Sequence, residues 1–193
     1  MGTSEDQVSA GFLDGKLVCL RGVRREDMAA YQRWLDNPMV TEYLEMGWRP
    51  STDLDLESAY SSLVGDANNV AFVVVDRESQ KPVGVCGLYL ISWIARRAQF
   101  NILLGEPWSW DRGIGTEALT LLLDFGFNRL NLESVNLGVN CENRRAIRSY
   151  EKAGFIVEGQ RRKFIYRNGR HYDMIVMSIL REEFKGRIEP AQF

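Results

Sequence analysis

Asn143-Arg144-Arg145-Ala146-Ile147-Arg148-Ser149-Tyr150-Glu151-Lys152-Ala153-Gly154-Phe155 is the stretch that decides how this chain folds. Asn143 is a favoured N-cap, because its side-chain oxygen can accept from the unpaired amides of a first helical turn. Ala146, Ile147, Tyr150 and Ala153 follow at helical spacing and share one face. Gly154 is the residue expected where a helix closes with a positive φ. The stretch predicts a helix over 143–153 with Tyr150 pointing inward. A phenol in that place has an apolar ring and a hydroxyl that must find a polar partner or a ligand. With an ordinary pKa of about 10 it stays protonated at neutral pH and could give a proton to a leaving thiolate. A core tyrosine bonded to a backbone carbonyl is the competing reading.

Upstream, Trp110-Asp111-Arg112-Gly113-Ile114-Gly115-Thr116-Glu117-Ala118 places two glycines just ahead of a second helix. Glycine lets the backbone take positive φ and approach a ligand closely. The free amides of the first turn, with the helix dipole, then form an anion site suited to a pyrophosphate, and Arg112 adds a positive charge at its rim. Gly113-x-Gly115-x-x-Ala118 also satisfies the dinucleotide fingerprint, but that motif starts directly after a fully apolar strand. Here Gly105 to Arg112 intervene, and Gln99 and Asn101 interrupt the strand. No Gly-Lys-Ser/Thr follows, which excludes a triphosphatase loop. A helix entry that merely needs a tight turn is the other reading.

Farther out, Lys16–Leu20 reads as a strand and Arg25–Asn37 as a helix stopped by Pro38. Asp53–Val64 reads as a second helix. Val70–Asp76, Val83–Trp93 and Ala98–Leu104 form an antiparallel meander. Thr116–Asn128 is a largely buried helix, Ser134–Val139 a strand, and Phe155–Tyr166 with Arg170–Leu180 a hairpin around the Asn168-Gly169 turn. The order predicts an α+β fold in one domain over 13–185, with a disordered lead over 1–12 and a tail over 186–193.

Composition narrows the function. The 193 residues carry 24 Lys+Arg against 26 Asp+Glu, a net charge of -2, so nucleic acid is not an expected partner. Three cysteines (Cys19, Cys86, Cys141) without a CxxC and one histidine, His171, give neither a disulfide framework nor a metal centre. No apolar run approaches the ~20 residues of a membrane span, and Glu5 and Asp6 sit where a signal peptide would be basic. These features predict a cytoplasmic, metal-free protein.

Taken together, Trp110–Ala118, Asn143–Phe155, Phe155–Gly159 (FIVEG) and Asn168–Leu180 (NGRHYDMIVMSIL) resemble the GNAT superfamily of N-acetyltransferases, and within it the RimJ/RimL-type branch. The resemblance implies a mixed central sheet of about seven strands, mostly antiparallel, splayed at a cofactor cleft and flanked by helices. It implies acetyl-CoA as donor, with its pyrophosphate on the amides of Arg112, Gly113, Ile114, Gly115 and Thr116, flanked by Trp110 and Asp111. The pantetheine arm would pair with the strand end at Ile102, Leu103 and Leu104. Asn143 and Ala146 would line that arm, Lys152 would meet the adenosine phosphate, and Tyr150 would protonate the departing thiolate. Trp110 departs from the family pattern, in which Gln or Arg usually stands three residues before the first glycine of the loop. C-terminal hairpins of the family often pair between subunits, so a homodimer is one expectation.

An amine must lose a proton before it attacks a thioester, and Glu106 and Glu45 are the acidic candidates for the base, with a water relay as the alternative. The acceptor pocket is expected from the N-terminal helices and the C-terminal hairpin, with Glu42, Trp48, Trp93 and Tyr166 as lining residues suited to a cation. The acceptor is an amine-bearing small molecule or a protein N-terminus; a polyamine, an aminoglycoside, an amino sugar and a peptide are all open. A non-catalytic acyl-CoA sensor using the same cleft is the alternative reading.

Overall fold

The computed structural model describes residues 11–186. Residues 1–10 and 187–193, most of the expected lead over 1–12 and tail over 186–193, lie outside the described residues. The strands are β1 (Leu13–Asp14), β2 (Val18–Gly22), β3 (Val70–Asp76), β4 (Pro82–Ser92), β5 (Arg97–Leu104), β6 (Ser134–Asn140), β7 (Ile156–Arg167) and β8 (Arg170–Leu180). The α-helices are α1 (Met28–Leu35), α2 (Asp53–Gly65), α3 (Ile114–Asp124) and α4 (Arg144–Lys152). All eight strands form one sheet in the order β1-β2-β3-β4-β5-β6-β8-β7. The expected seven become eight because Leu13–Asp14 pairs with β2 as a short edge strand. Phe12, assigned to the lead, belongs to the fold: its ring stacks on Phe72 at 5.6 Å and meets Phe125 edge-on.

Local chemistry explains most boundaries. Asn143 caps α4 by accepting from the Ala146 amide at 3.1 Å, and Gly154 closes the helix with φ of 99°. Thr52 and Asp55 form a reciprocal capping box at the start of α2. Asn168 and Gly169 both take positive φ, 51° and 84°, as a two-residue hairpin turn requires. The first helix starts later than predicted. Arg25–Asp27 is a 3-10 turn, because Asp27 is buried and accepts two bonds from Arg21 and one from the Arg24 amide. The buried helix of the loop likewise stops early, at Asp124, and widens into a π turn over Phe125–Arg129.

The two faces of the sheet are covered differently. Helices α3 and α4 bury one face from β2 to β8, on Leu88, Ala98, Phe100, Val135, Leu137, Met177 and Ile179, and leave the edge strand β7 largely exposed. Helices α1 and α2 cover the other face mainly over β2, β3 and β4, through Met28, Tyr31 and Trp34 on Val73, Val75 and Val85. Among the described residues no helix is long and apolar enough to cross a membrane.

One pairing sets up the site. Every neighbouring pair of strands is antiparallel except β5 with β6, which run parallel. Their register covers only Arg97–Gln99 against Ser134–Asn136. Beyond that, β5 keeps its bonds to β4 as far as Leu104 and β6 keeps its bonds to β8 as far as Asn140. The sheet therefore opens between Phe100–Leu104 and Leu137–Asn140.

Candidate active site

Backbone alternation along a strand sends successive N–H and C=O groups to opposite edges. The Gly105 amide donates to Val83, so the odd residues of β5 bond to β4. The even ones, Phe100, Ile102 and Leu104, turn their polar groups to the opening. The Leu104 carbonyl is already taken: the Trp110 indole N–H donates to it at 2.9 Å. The free edge is thus shorter than the expected strand end, consisting of Phe100, Ile102 and the Leu104 amide. Leu103 faces the other way and packs toward α1.

The loop that follows enters α3 through Gly113, whose φ of 83° and ψ of -6° place it in the left-handed region; Asp111 shares it at φ 57°. The helix starts at Ile114, and its first main-chain acceptor, the Gly113 carbonyl, is used by Glu117. The amides of Gly113, Ile114, Gly115 and Thr116 are left at the helix N-terminus, an anion-binding geometry. A Cβ on Gly115 would stand 3.2 Å from Leu104 Cδ1, close enough that this side chain would have to give slightly. Arg112 is turned outward, paired with Glu78 and 3.7 Å from Asp76. Trp110, the departure from the family pattern, is sandwiched instead: its ring carries the Arg145 guanidinium 4.0 Å from the centroid.

Tyr150 stands across the opening from this loop. Its ring meets Phe100 edge-on at 6.1 Å and Phe155 at 5.9 Å, which fixes the phenol beside the free part of β5. Among the described residues its hydroxyl has no hydrogen-bond partner in the protein, and so lacks the backbone carbonyl that a core tyrosine would engage. Desolvation pushes the phenol up to about 12, so it is held firmly in the proton-carrying form. A neighbouring residue, Ser149, shares a 2.7 Å hydroxyl contact with Thr116 and ties α4 to the first turn of α3. Ser149 was not among the expected residues; it lies on a different helix from Thr116 and 33 residues away, so no spacing signals the contact.

The remaining predicted residues divide. Glu106 is occupied: Trp34 donates its indole N–H to one oxygen at 2.9 Å and Trp108 to the other at 3.1 Å, so the carboxylate ties α1 to the exit of β5. Gly105 is needed there, since any Cβ would fall inside the Trp34 ring. Glu42, Glu45 and Trp48 are exposed, but their segment is fastened to the C-terminal hairpin. Arg167 donates to the Met46 carbonyl at 2.7 Å, to Thr41 Oγ1 at 2.8 Å and to the Gly47 carbonyl at 3.2 Å. Tyr166, beside Arg167 at the hairpin tip, packs on His171 and is 63% exposed. Arg167 was absent from the expected set, and its only signal was a cation next to an Asn-Gly turn. Trp93 is not brought to the opening: it bonds to Asn68 at 3.1 Å, at the end of the sheet where β5 and β6 are still paired. Lys152 is exposed on α4, and Asn143 spends its side-chain oxygen on the cap, while Ala146 packs against the core. Among the described residues no group of His, Cys, Asp and Glu could hold a metal.

A sheet opened along one parallel seam, an anion-binding helix entry at its mouth and an unpartnered phenol across it define an acetyl-CoA-dependent N-acetyltransferase. The chain belongs to the acetyltransferase (GNAT) domain family, whose model matches residues 18–156. It is 31% identical to an uncharacterized N-acetyltransferase of Bacillus licheniformis over 88% of this chain and 96% of that one. It is also 31% identical to the spermidine N(1)-acetyltransferase of Vibrio cholerae, over 89% of this chain and 98% of that protein. The crystal structure of spermidine N-acetyltransferase from Vibrio cholerae, in complex with CoA and spermine, superposes with a TM-score of 0.79 at 29% identity. That match covers 88% of this chain and 98% of the crystallised one.

Proposed function

We propose that this protein acetylates a primary amine of a polyamine such as spermidine, using acetyl-CoA, by direct attack in a ternary complex. The observation that carries the catalytic part is the unpartnered Tyr150 phenol fixed by Phe100 at the open edge of β5. A sensor would not need a proton donor there. The polyamine is supported by near full-length similarity to spermidine acetyltransferases; the similarity to a Bacillus subtilis protein named a putative ribosomal N-acetyltransferase spans only 53% of the chain. These relatives favour a polyamine enzyme over the RimJ/RimL-type branch. Three free cysteines suit a reducing cytoplasm.

The residues present fit the donor. The amides of Gly113 to Thr116 hold the pyrophosphate, and the edge of Phe100, Ile102 and the Leu104 amide aligns the pantetheine arm. Acetyl-CoA supplies an activated thioester. An edge amide of β5 stabilises charge on the carbonyl oxygen. As the C–N bond forms and the C–S bond breaks, Tyr150 gives its proton to the sulfur and is reprotonated from solvent. The ammonium gives one proton to water before it attacks, and the nitrogen gives up a second as the tetrahedral intermediate collapses to the amide, both on the uncovered face of the sheet. Glu106 acts as a tie between elements and Glu45 stays in solvent, so neither takes the role of base.

A thiol-release assay with spermidine, spermine, an aminoglycoside and a ribosomal-protein N-terminal peptide tests the reading. Release of CoA with the polyamines and not with the peptide is the expected result. Tight acetyl-CoA binding without release for any amine would favour a sensor.

A further inference from the structure

The last closed rung between β5 and β6 joins Gln99 to Asn136. Following the register outward, Gln99 pairs with Tyr89 of β4 and Asn136 pairs with Ser178 of β8. Residues in register across a sheet share a face. Their neighbours Leu88, Phe100, Leu137, Met177 and Ile179 fill the core under α3 and α4, so this row lies on the opposite face. That is the face on which α1 and α2 extend little beyond β4. A line of four polar side chains therefore crosses the sheet at the root of the opening, next to where Tyr150 acts from below.

The row has an acidic end. In β7 the register jumps from Val157 opposite Met177 to Gly159 opposite Val176, leaving Glu158 as the extra residue of a β-bulge. Bulges re-aim a side chain out of the strand's regular alternation. Here the Glu158 carboxylate turns back over β8 and accepts from Ser178 Oγ at 2.6 Å. Ser178 is 6% exposed between two fully buried apolar residues, so its hydroxyl is a fixed donor that sets the carboxylate. Asn136 is fixed as well, its amide donating to the Ala98 carbonyl across the rung at 3.1 Å. Glu158 itself stays exposed, with one oxygen available to a second partner.

Strands lie about 4.8 Å apart, so β7 is about two and a half spacings from the seam between β5 and β6, and the Glu158 carboxylate, turned back over β8, lies closer to it. An amine presented at the seam would have its next cationic group, a few methylenes away, over β8 and within reach of that carboxylate. We infer that Glu158, aimed by the β7 bulge and held by Ser178, is the specificity-determining residue that binds the distal ammonium of a polycationic acceptor lying along the Tyr89–Gln99–Asn136–Ser178 row. It is a substrate-binding residue and not the base. The inference rests on the acetyl-transfer reading above and assigns its acceptor seat.

The test is titration calorimetry of spermidine into the CoA complex of wild type, Glu158→Gln, Glu158→Asp and Ser178→Ala, with CoA binding and thermal unfolding measured on each. Gln keeps an acceptor for Ser178 and removes only the charge. The expected result is about tenfold weaker spermidine binding for Glu158→Gln, partial recovery in Glu158→Asp, an intermediate loss in Ser178→Ala, and CoA affinity unchanged throughout. Spermidine binding to Glu158→Gln as to wild type would overturn the assignment, as would no spermidine binding to wild type. A parallel loss of CoA affinity and unfolding midpoint would mark Glu158 as structural and overturn it too. Failure of wild type to bind acetyl-CoA would instead remove the transferase reading itself.

Discussion

The indole N–H of Trp110 donates to the carbonyl of Leu104 at 2.9 Å, so the anion-binding loop is fastened to the strand edge that borders the opening. One side chain thus sets the distance between the place for a pyrophosphate and the place for the arm that follows it. Trp110→Phe keeps an aromatic ring beside Arg145 and removes this bond together with the pyrrole half of the indole. It should weaken acetyl-CoA binding by about fivefold, the worth of a single neutral hydrogen bond, with little change in unfolding midpoint. Calorimetry reads both.

Tyr150→Phe should lower kcat by about a hundredfold or more, the usual contribution of a general acid, while CoA affinity stays close to wild type. Because desolvation pushes the phenol up to about 12, its proton is retained well past the ordinary tyrosine range and is lost only as pH rises further. The kcat profile of the wild type should therefore show no descending limb from this group at pH values up to about 10. A limb centred there that vanishes in Tyr150→Phe would contradict the buried phenol.

Gly113 sits at φ of 83°, where a Cβ costs about 1–2 kcal/mol. Gly113→Ala should lose that much in urea unfolding and bind acetyl-CoA more weakly, because relief of the strain turns the loop amides away. Gly115 has no such backbone demand. Gly115→Ala needs only a small shift of Leu104 and should be the milder of the two in both measurements.

Asp27 is buried at the start of α1, with both oxygens held by Arg21 and one also by the Arg24 amide. Burial pushes its carboxyl up, but the Arg21 bonds and the Arg24 amide outweigh that and hold it below the ordinary range. A depressed folded pKa stabilises the protein above the unfolded value near 4 and ceases to do so as pH falls through the folded value. Asp27→Asn should cost roughly 2–3 kcal/mol at neutral pH, since it strands the Arg21 charge while leaving it some solvent. The gap to wild type should narrow in unfolding experiments carried out at acid pH.

Much of this architecture is written locally. Asn143, Gly154 and the Asn168-Gly169 pair each act within a turn or two, and the elements they bound stand within a residue or two of expectation. The same is true of Val70–Asp76, whose β-branched run needs no distant partner to be legible. What the sequence could not carry is long-range. Leu13–Asp14 is too short to show a period and exists only because β2 offers it an edge. Arg167 reads as a surface cation until the fold brings Thr41 and Met46 to it. Glu106 reads as a carboxylate at the mouth of a strand, and only the approach of Trp34 shows that both its oxygens are engaged. Glu158 was in view within FIVEG, but its direction depends on a bulge that strand pairing alone determines.

The short seam between β5 and β6 has a consequence for the molecule as a whole. Two blades of sheet, one of five strands and one of three, are stitched together at three rungs. A ligand that lies in the gap supplies the missing stitches, and native-state stability grows with the logarithm of its concentration over its Kd. Rigidity of the catalyst is then metered by the supply of its own acyl donor. The blades already share one buried core beneath α3 and α4, so what the donor adds is the bonding that the sheet lacks along its seam.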